Sequence, residues 1–305
     1  NANPIRFDGN VTLSGGPSSF LGDLTLDGLV FSSTGDVTLG TAPADGDSIT
    51  LSGSDVTLQG NGAYTVYSSI SGAQNLILAG GSQATSTGSK TFHGAIGSPI
   101  PLLSITQADT SGPVTFAAYV TTGDLTTLAN ASFGPGTLTA SGTVQIGSNP
   151  PGDDTATLVG ATTWTGNAVY TIYAPLNGNH NLVLDGSGTK TFHASVGGSA
   201  AATAIGTGTG AAIRQTGSGE VFFENTVRTA SGITQADTAG MITFHGDIVS
   251  AAGNTNTNLQ GDITLDGLTW TSSGAVTIGN ADSDTLTLSS DSVTITTASR
   301  NITIN

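Results

Sequence analysis

Apolar residues along this chain come in short triplets, most often with a hydroxyl residue between two aliphatic ones. Leu24-Thr25-Leu26, Val37-Thr38-Leu39, Ile49-Thr50-Leu51, Val56-Thr57-Leu58 and Leu286-Thr287-Leu288 are of this kind, and Leu76-Ile77-Leu78 and Leu182-Val183-Leu184 are wholly aliphatic versions. A period of two turns the first and third side chains of each triplet to one side, so each reads as a short strand. The triplets fall roughly every 8 to 13 residues, and Gly, Asp-Gly, Asn-Gly, Ser-Gly and Asn-Pro turn signals separate them. Two or three strands then fit in each coil of roughly 20 residues.

The triplets belong to longer repeats. Gly22-Asp23-Leu24-Thr25-Leu26-Asp27-Gly28-Leu29 returns as Gly261-Asp262-Ile263-Thr264-Leu265-Asp266-Gly267-Leu268, and Val37-Thr38-Leu39-Gly40 returns as Val144-Gln145-Ile146-Gly147 and Val276-Thr277-Ile278-Gly279. Lys90-Thr91-Phe92-His93 returns as Lys190-Thr191-Phe192-His193, and Ile105-Thr106-Gln107-Ala108-Asp109-Thr110 as Ile233-Thr234-Gln235-Ala236-Asp237-Thr238. The copies are unequal: Val144 lies 107 positions after Val37, and Val276 lies 132 after Val144. Much of the excess is a duplication, because Ile213-Arg214-Gln215 leading to Val221-Phe222-Phe223 recurs 20 positions later as Ile233-Thr234-Gln235 leading to Ile242-Thr243-Phe244. A β-sandwich cannot gain that length without a redesigned core, whereas a solenoid gains a coil freely because each coil contacts only its neighbours. The expected fold is therefore all-β, one elongated parallel β-helix solenoid with three imperfect super-repeats at about 22–127, 128–259 and 260–305, the last incomplete. Fourteen or so coils about 4.8 Å apart would make a rod roughly 65 to 70 Å long. Leu, Val, Ile and Phe should fill the inside, Thr and Ser should form outer ladders, and Gly should take the corners.

Composition excludes several alternatives. Gly supplies 44 residues and only 9% of the chain is charged, against the ~25% usual in globular domains. The recurring β-branched triplets argue against disorder. The chain carries 21 acidic and 6 basic residues, and Arg6, Lys90, Lys190, Arg214, Arg228 and Arg300 form no patch. Nucleic acid is excluded as a partner, since a phosphate binder needs clustered cations, and an anionic membrane surface is disfavoured for the same reason. Cys is absent and Met occurs once, so disulfides and thiolate metal sites are ruled out. Such a Ser-, Thr-, Gly- and Asn-rich body suits an exported protein. No stretch reaches the apolar length of a membrane helix, the start lacks a signal peptide, and the triplets are too short for a membrane β-barrel, so direct membrane insertion is not expected. A start at Asn1 reads as a processed product or a fragment.

Two stretches carry a resemblance. Asn181-Leu182-Val183-Leu184-Asp185-Gly186-Ser187-Gly188-Thr189-Lys190-Thr191-Phe192-His193 and Gly112-Pro113-Val114-Thr115-Phe116 resemble the imperfect repeats of large bacterial surface adhesins of the filamentous-haemagglutinin-like and autotransporter-like type. The likeness is one of repeat style, covers about Gly22 to Ile304, and includes no catalytic motif. It implies a right-handed β-helix shaft, export through an outer-membrane partner or barrel, and a role in attachment, aggregation or matrix building.

Few residues suggest chemistry. The acidic loops Asp45-Gly46-Asp47, Asp153-Asp154 and Asp282-Ser283-Asp284 occupy one repeat position, and paired carboxylates in a glycine-rich turn are candidate Ca²⁺ ligands. The Gly-Gly-x-Gly-x-Asp calcium repeat is missing, and Asp and Gly also simply favour turns. No other cofactor is expected. Tyr64 with Tyr67 and Tyr170 with Tyr173 form matched pairs, and the period-two reading sets both rings of each pair on one face of a strand, as a ligand-docking stripe or as filling. Of the histidines, His93, His193 and His245 each follow Phe in one repeat slot and read as structural, with His180 apart from them. Three glycosylation sequons start at Asn10, Asn130 and Asn301. Isolated basic residues and turn-like Asp109 and Asp237 argue against a polysaccharide lyase or hydrolase. The function expected is non-enzymatic: an extracellular or cell-surface structural and adhesive shaft. Its partners would be a host or neighbouring cell surface, carbohydrate, or copies of itself. A self-assembling filament subunit is the alternative, and polysaccharide binding or processing ranks third.

Overall fold

A computed structural model describes residues 4–41, 46–81, 88–149, 152–198, 203–207, 209–250, 256–280, 284–289, 292–298 and 300–305. The chain divides into two units, Asn1–Ser148 and Asn149–Asn305. Each is a parallel β-solenoid, and the described residues contain no α-helix, with a 3₁₀ turn at Asp109–Ser111.

In the first unit the chain winds over three faces. The first face stacks Ile5–Phe7, Leu24–Asp27, Ser48–Ser52 and Ser69–Ser71, then Ile96 as a single bridge, the first half of Val120–Thr127, and Gly136–Ala140. The second stacks Val11–Leu13, Val30–Ser33, Val56–Gly60, Asn75–Ala79, Leu102–Gln107, the second half of Val120–Thr127, and Thr143–Ile146. The third stacks Ser18–Phe20, Val37–Leu39, Tyr64–Val66, Lys90–Phe92, Val114–Phe116 and Ala131–Phe133.

The second unit repeats the plan. Its first face holds Ala156–Leu158, Leu176–Asn177, bridging Val196, Val227–Thr229, Ile248–Ser250, Thr269–Ser272 and Thr294–Thr297. Its second holds Thr162–Gly166, Leu182–Leu184, Ile213–Gln215, Ile233–Gln235, Thr257–Leu259, Val276–Ile278 and Ile302–Ile304. Its third holds Val169–Ile172, Lys190–Phe192, Val221–Phe223, Ile242–Phe244, Ile263–Leu265 and Leu286–Leu288. The duplicated segment is one added coil, with Ile213 paired to Ile233 and Val221 to Ile242. Coil length is elastic: Ala131 follows its partner Val114 by 17 positions, whereas Ile213 follows Leu182 by 31, eleven more than the step from Ile213 to Ile233. Length is absorbed at the corners, because the strand register fixes only the three faces.

Away from the first and last described coils, first and third triplet residues point inward and are buried. Stacking repeats the same side chain at the same place, so rings pile into columns: Phe92, Phe116 and Phe133 at 5.8 Å steps in the first unit, and Phe192, Phe223 and Phe244 at 4.9 and 5.1 Å in the second. Each ring pair adds about 0.5–1.5 kcal/mol beyond its buried area.

The corner before the third face explains both its glycines and the buried polar side chains. Coils approach so closely there that a Cβ on Gly62 would lie 1.9 Å from Gly35 O, and one on Gly188 would lie 1.7 Å from Ala168 O. Buried carbonyls at such a corner need donors. Lys90 Nζ donates to Gly88 O (3.3 Å) and Ser111 O (2.8 Å), and Lys190 Nζ donates to Gly188 O (2.9 Å). Gln107 Nε2 donates to Gly112 O, Gln215 Nε2 to Gly219 O and Gly240 O, and Gln235 Nε2 to Gly240 O and Asp262 O. Outer corners are stapled by aspartates. Asp23 Oδ1 accepts Ser48 N, Asp124 Oδ1 accepts Thr143 N, and Asp262 Oδ1 accepts Thr285 N, each from the next coil.

Candidate functional site

On the outside, the middle triplet residues form hydroxyl ladders. In the first unit Ser19, Thr38, Thr65, Thr91, Thr115 and Ser132 follow one another in register along the third face. The second unit also has a groove of about 330 Å³, lined by Val249, Thr271, Ser273, Thr296 and Thr297 with neighbouring residues.

The chemically distinct line is the corner just after the third face. There the chain leaves an inward residue, so by alternation the next side chain points out. In the second unit the residues in this slot are Tyr173, His193, Glu224, His245 and Asp266. They stand on successive rungs: His193 N donates to Ile172 O, Glu224 N to Phe192 O, His245 N to Phe223 O and Asp266 N to Phe244 O, at 2.8 to 3.0 Å. Tyr173 and His193 stack with ring centres 4.7 Å apart, and the Tyr173 hydroxyl accepts from Asn149 Nδ2 at 3.2 Å. His193 Nδ1 meets Glu224 Oε2 at 2.5 Å, and His245 Nδ1 lies 3.9 Å from Asp266 Oδ2. In the first unit the slot holds Tyr67 and His93, stacked at 4.9 Å, and the following rung is Ala117, whose N–H donates to Phe92 O.

The tyrosine pairs do not share a face, which corrects the reading from periodicity. Three positions separate Tyr64 from Tyr67 and Tyr170 from Tyr173, and an odd separation in extended chain sends the two side chains to opposite sides. Tyr64 and Tyr170 are fully buried, and Tyr67 and Tyr173 are half-buried on the outer corner. The inner hydroxyls reach Gln59 O at 2.6 Å and Thr165 O at 2.7 Å. Burial pushes both inner phenols well above the ordinary tyrosine range. Each ring carries a buried ammonium, Lys90 Nζ at 5.9 Å and Lys190 Nζ at 5.2 Å from the ring centres. Burial pulls both lysines down to about 8, and at Lys190 the nearby Asp185 charge works the other way.

Of the acidic-loop residues, Asp45 and Asp282 lie outside the described residues. Asp47 Oδ2 accepts from Gly22 N, Thr41 N and Thr41 Oγ1 at 3.0 to 3.3 Å, and Asp284 Oδ2 accepts from Asn280 N at 3.1 Å. Asp153 and Asp154 stand in the turn before Ala156–Leu158. As placed, no three His, Asp or Glu side chains among the described residues are grouped to enclose a metal ion.

Sequence reasoning placed His193 and His245 in one slot but missed Glu224 and Asp266. The signal was available, since Glu224 follows Val221-Phe222-Phe223 as His193 follows Lys190-Thr191-Phe192. Comparison with protein-family models, with curated proteins and with solved structures returns no match.

Proposed function

We propose that this chain is an extracellular structural and adhesive shaft, which spaces or attaches a surface to its partner. The observation that carries the reading is the in-register parallel ladder within each unit. Coils are held by their neighbours on three faces, and many outward positions are left to Thr and Ser, with Ile77, Val183, Arg214 and Phe222 among the exceptions. Nearest-neighbour stability lets such a body lengthen coil by coil. Uncharged hydroxyl ladders suit contact with carbohydrate or a protein surface through many weak hydrogen bonds, and the groove at Val249 and Thr271, with almost wholly apolar walls, suits an apolar face of such a partner. The test is adhesion of beads coated with the purified chain to cells and to immobilised polysaccharides, alongside light scattering of the free chain. Adhesion by a monomeric chain is the expected result, and beads no stickier than albumin-coated ones would refute it.

A further inference from the structure

We infer that the outer corner of the second unit is a binding site for a divalent transition-metal ion of the zinc class, formed by His193, Glu224 and His245. The chain has four His in all and, among its acidic residues, only two Glu. Two of those histidines and one of those glutamates nevertheless occupy three consecutive rungs of one corner. Consecutive rungs are about 4.8 Å apart, so the Glu224 backbone lies on the rung between those of His193 and His245, which are about 10 Å apart along the stack, and its carboxylate leans on His193.

The donor atoms are close to the spacing that a tetrahedral ion imposes. Ligand bonds of 2.0–2.2 Å set neighbouring donors about 3.3 Å apart. His193 Nδ1 and Glu224 Oε2 face each other at 2.5 Å, so an ion entering between them opens the pair by under about 1 Å. His245 has Asp266 on its far side, Nδ1 to Oδ2 at 3.9 Å. That separation is too long for a hydrogen bond, so Asp266 does not hold the ring in place, and Nε2 is left to serve as ligand. Because no three donors converge as they stand, His245 turns about its side-chain torsions toward Glu224 to complete the site, and water fills the remaining position. That motion is open to it, since its side chain is 45% exposed. Imidazole with carboxylate favours Zn²⁺ and its neighbours over Ca²⁺, which takes six to eight oxygens.

The first unit supplies a natural control. His93 occupies the same slot and stacks on Tyr67, but the rung after it is Ala117, so the carboxylate is missing. The experiment is calorimetric titration of the full chain with zinc chloride, and separately with calcium chloride, in a non-chelating buffer, with circular dichroism confirming that every variant is folded. One Zn²⁺ per chain is expected. His193→Ala, Glu224→Gln and His245→Ala should each weaken it by at least about tenfold, with His93→Ala leaving it unchanged. The proposal is overturned by an isotherm that the three variants share with the unmodified chain, by two independent ions per chain, by equal loss in His93→Ala, or by Ca²⁺ competing at equal concentration.

Discussion

Lys190 and Lys90 are buried ammonium groups with no carboxylate partner among the described ion pairs, and they should make the chain more stable as the solution becomes alkaline. Lys190 is 1% exposed, donates to Gly188 O at 2.9 Å and lies over the Tyr170 ring; Lys90 is 0% exposed. Burial lowers each from 10.5 to about 8 in the folded chain. The folded state therefore releases its proton first, and between these two values the unfolded state binds more protons, so stability rises with pH. Below pH 8 the lysine is charged in both states and its contribution is flat. Between pH 7 and 9.5 the gain comes to about 2 kcal/mol per lysine, since each pH unit above 8 adds about 1.36 kcal/mol. The buried tyrosines act in the opposite direction: their raised values make folding less favourable above pH 10, where unfolded tyrosine ionises. The window to examine is thus pH 7 to 9.5. Urea unfolding followed by tryptophan fluorescence reports on the second unit, because both tryptophans, Trp164 and Trp270, are buried there. The midpoint should climb across the window in the unmodified chain and stay level in Lys190→Met, which keeps the side-chain length and removes the charge. A midpoint that is flat in the unmodified chain, or that climbs equally in the variant, would refute the assignment of the effect to Lys190.

Two other outcomes follow from the way the coils stack. Gly188→Ala should cost about 3 kcal/mol or more, since its Cβ would meet the Ala168 carbonyl oxygen at 1.7 Å, whereas Gly9→Ala, with nothing within 4 Å, should change stability by about 0.5 kcal/mol at most; urea midpoints compare them. Deleting residues 213–232 removes one coil in register and joins Ala212 to Ile233, so the shortened chain should fold with unchanged β circular dichroism per residue. A disordered spectrum would mean that the coils do not act as separable units.

Much of the architecture was legible because a strand's two faces are written in its alternation. Leu24-Thr25-Leu26 and its relatives could only bury the leucines and expose the threonine, and the 20-residue duplication at Ile213 and Ile233 could only be a coil, since anything else would misalign every rung after it. The same alternation shows Tyr64 and Tyr67 to be on opposite sides once their odd spacing is counted. Other features lay beyond sequence because they depend on which coil lies next to which. Insertions of unequal length at the corners hide the register, so the local pattern gives Glu224 the slot of His193 and His245, but only the stacking puts it on the rung between them, 31 and 21 positions away in the chain. Lys90 and Lys190 look like surface residues when only their charge is considered. Only the stacked corner, with its glycine carbonyls turned inward and aromatic rings beside them, shows why a cation lies inside: the carbonyls need a donor, and the coil above leaves no room for water to supply it.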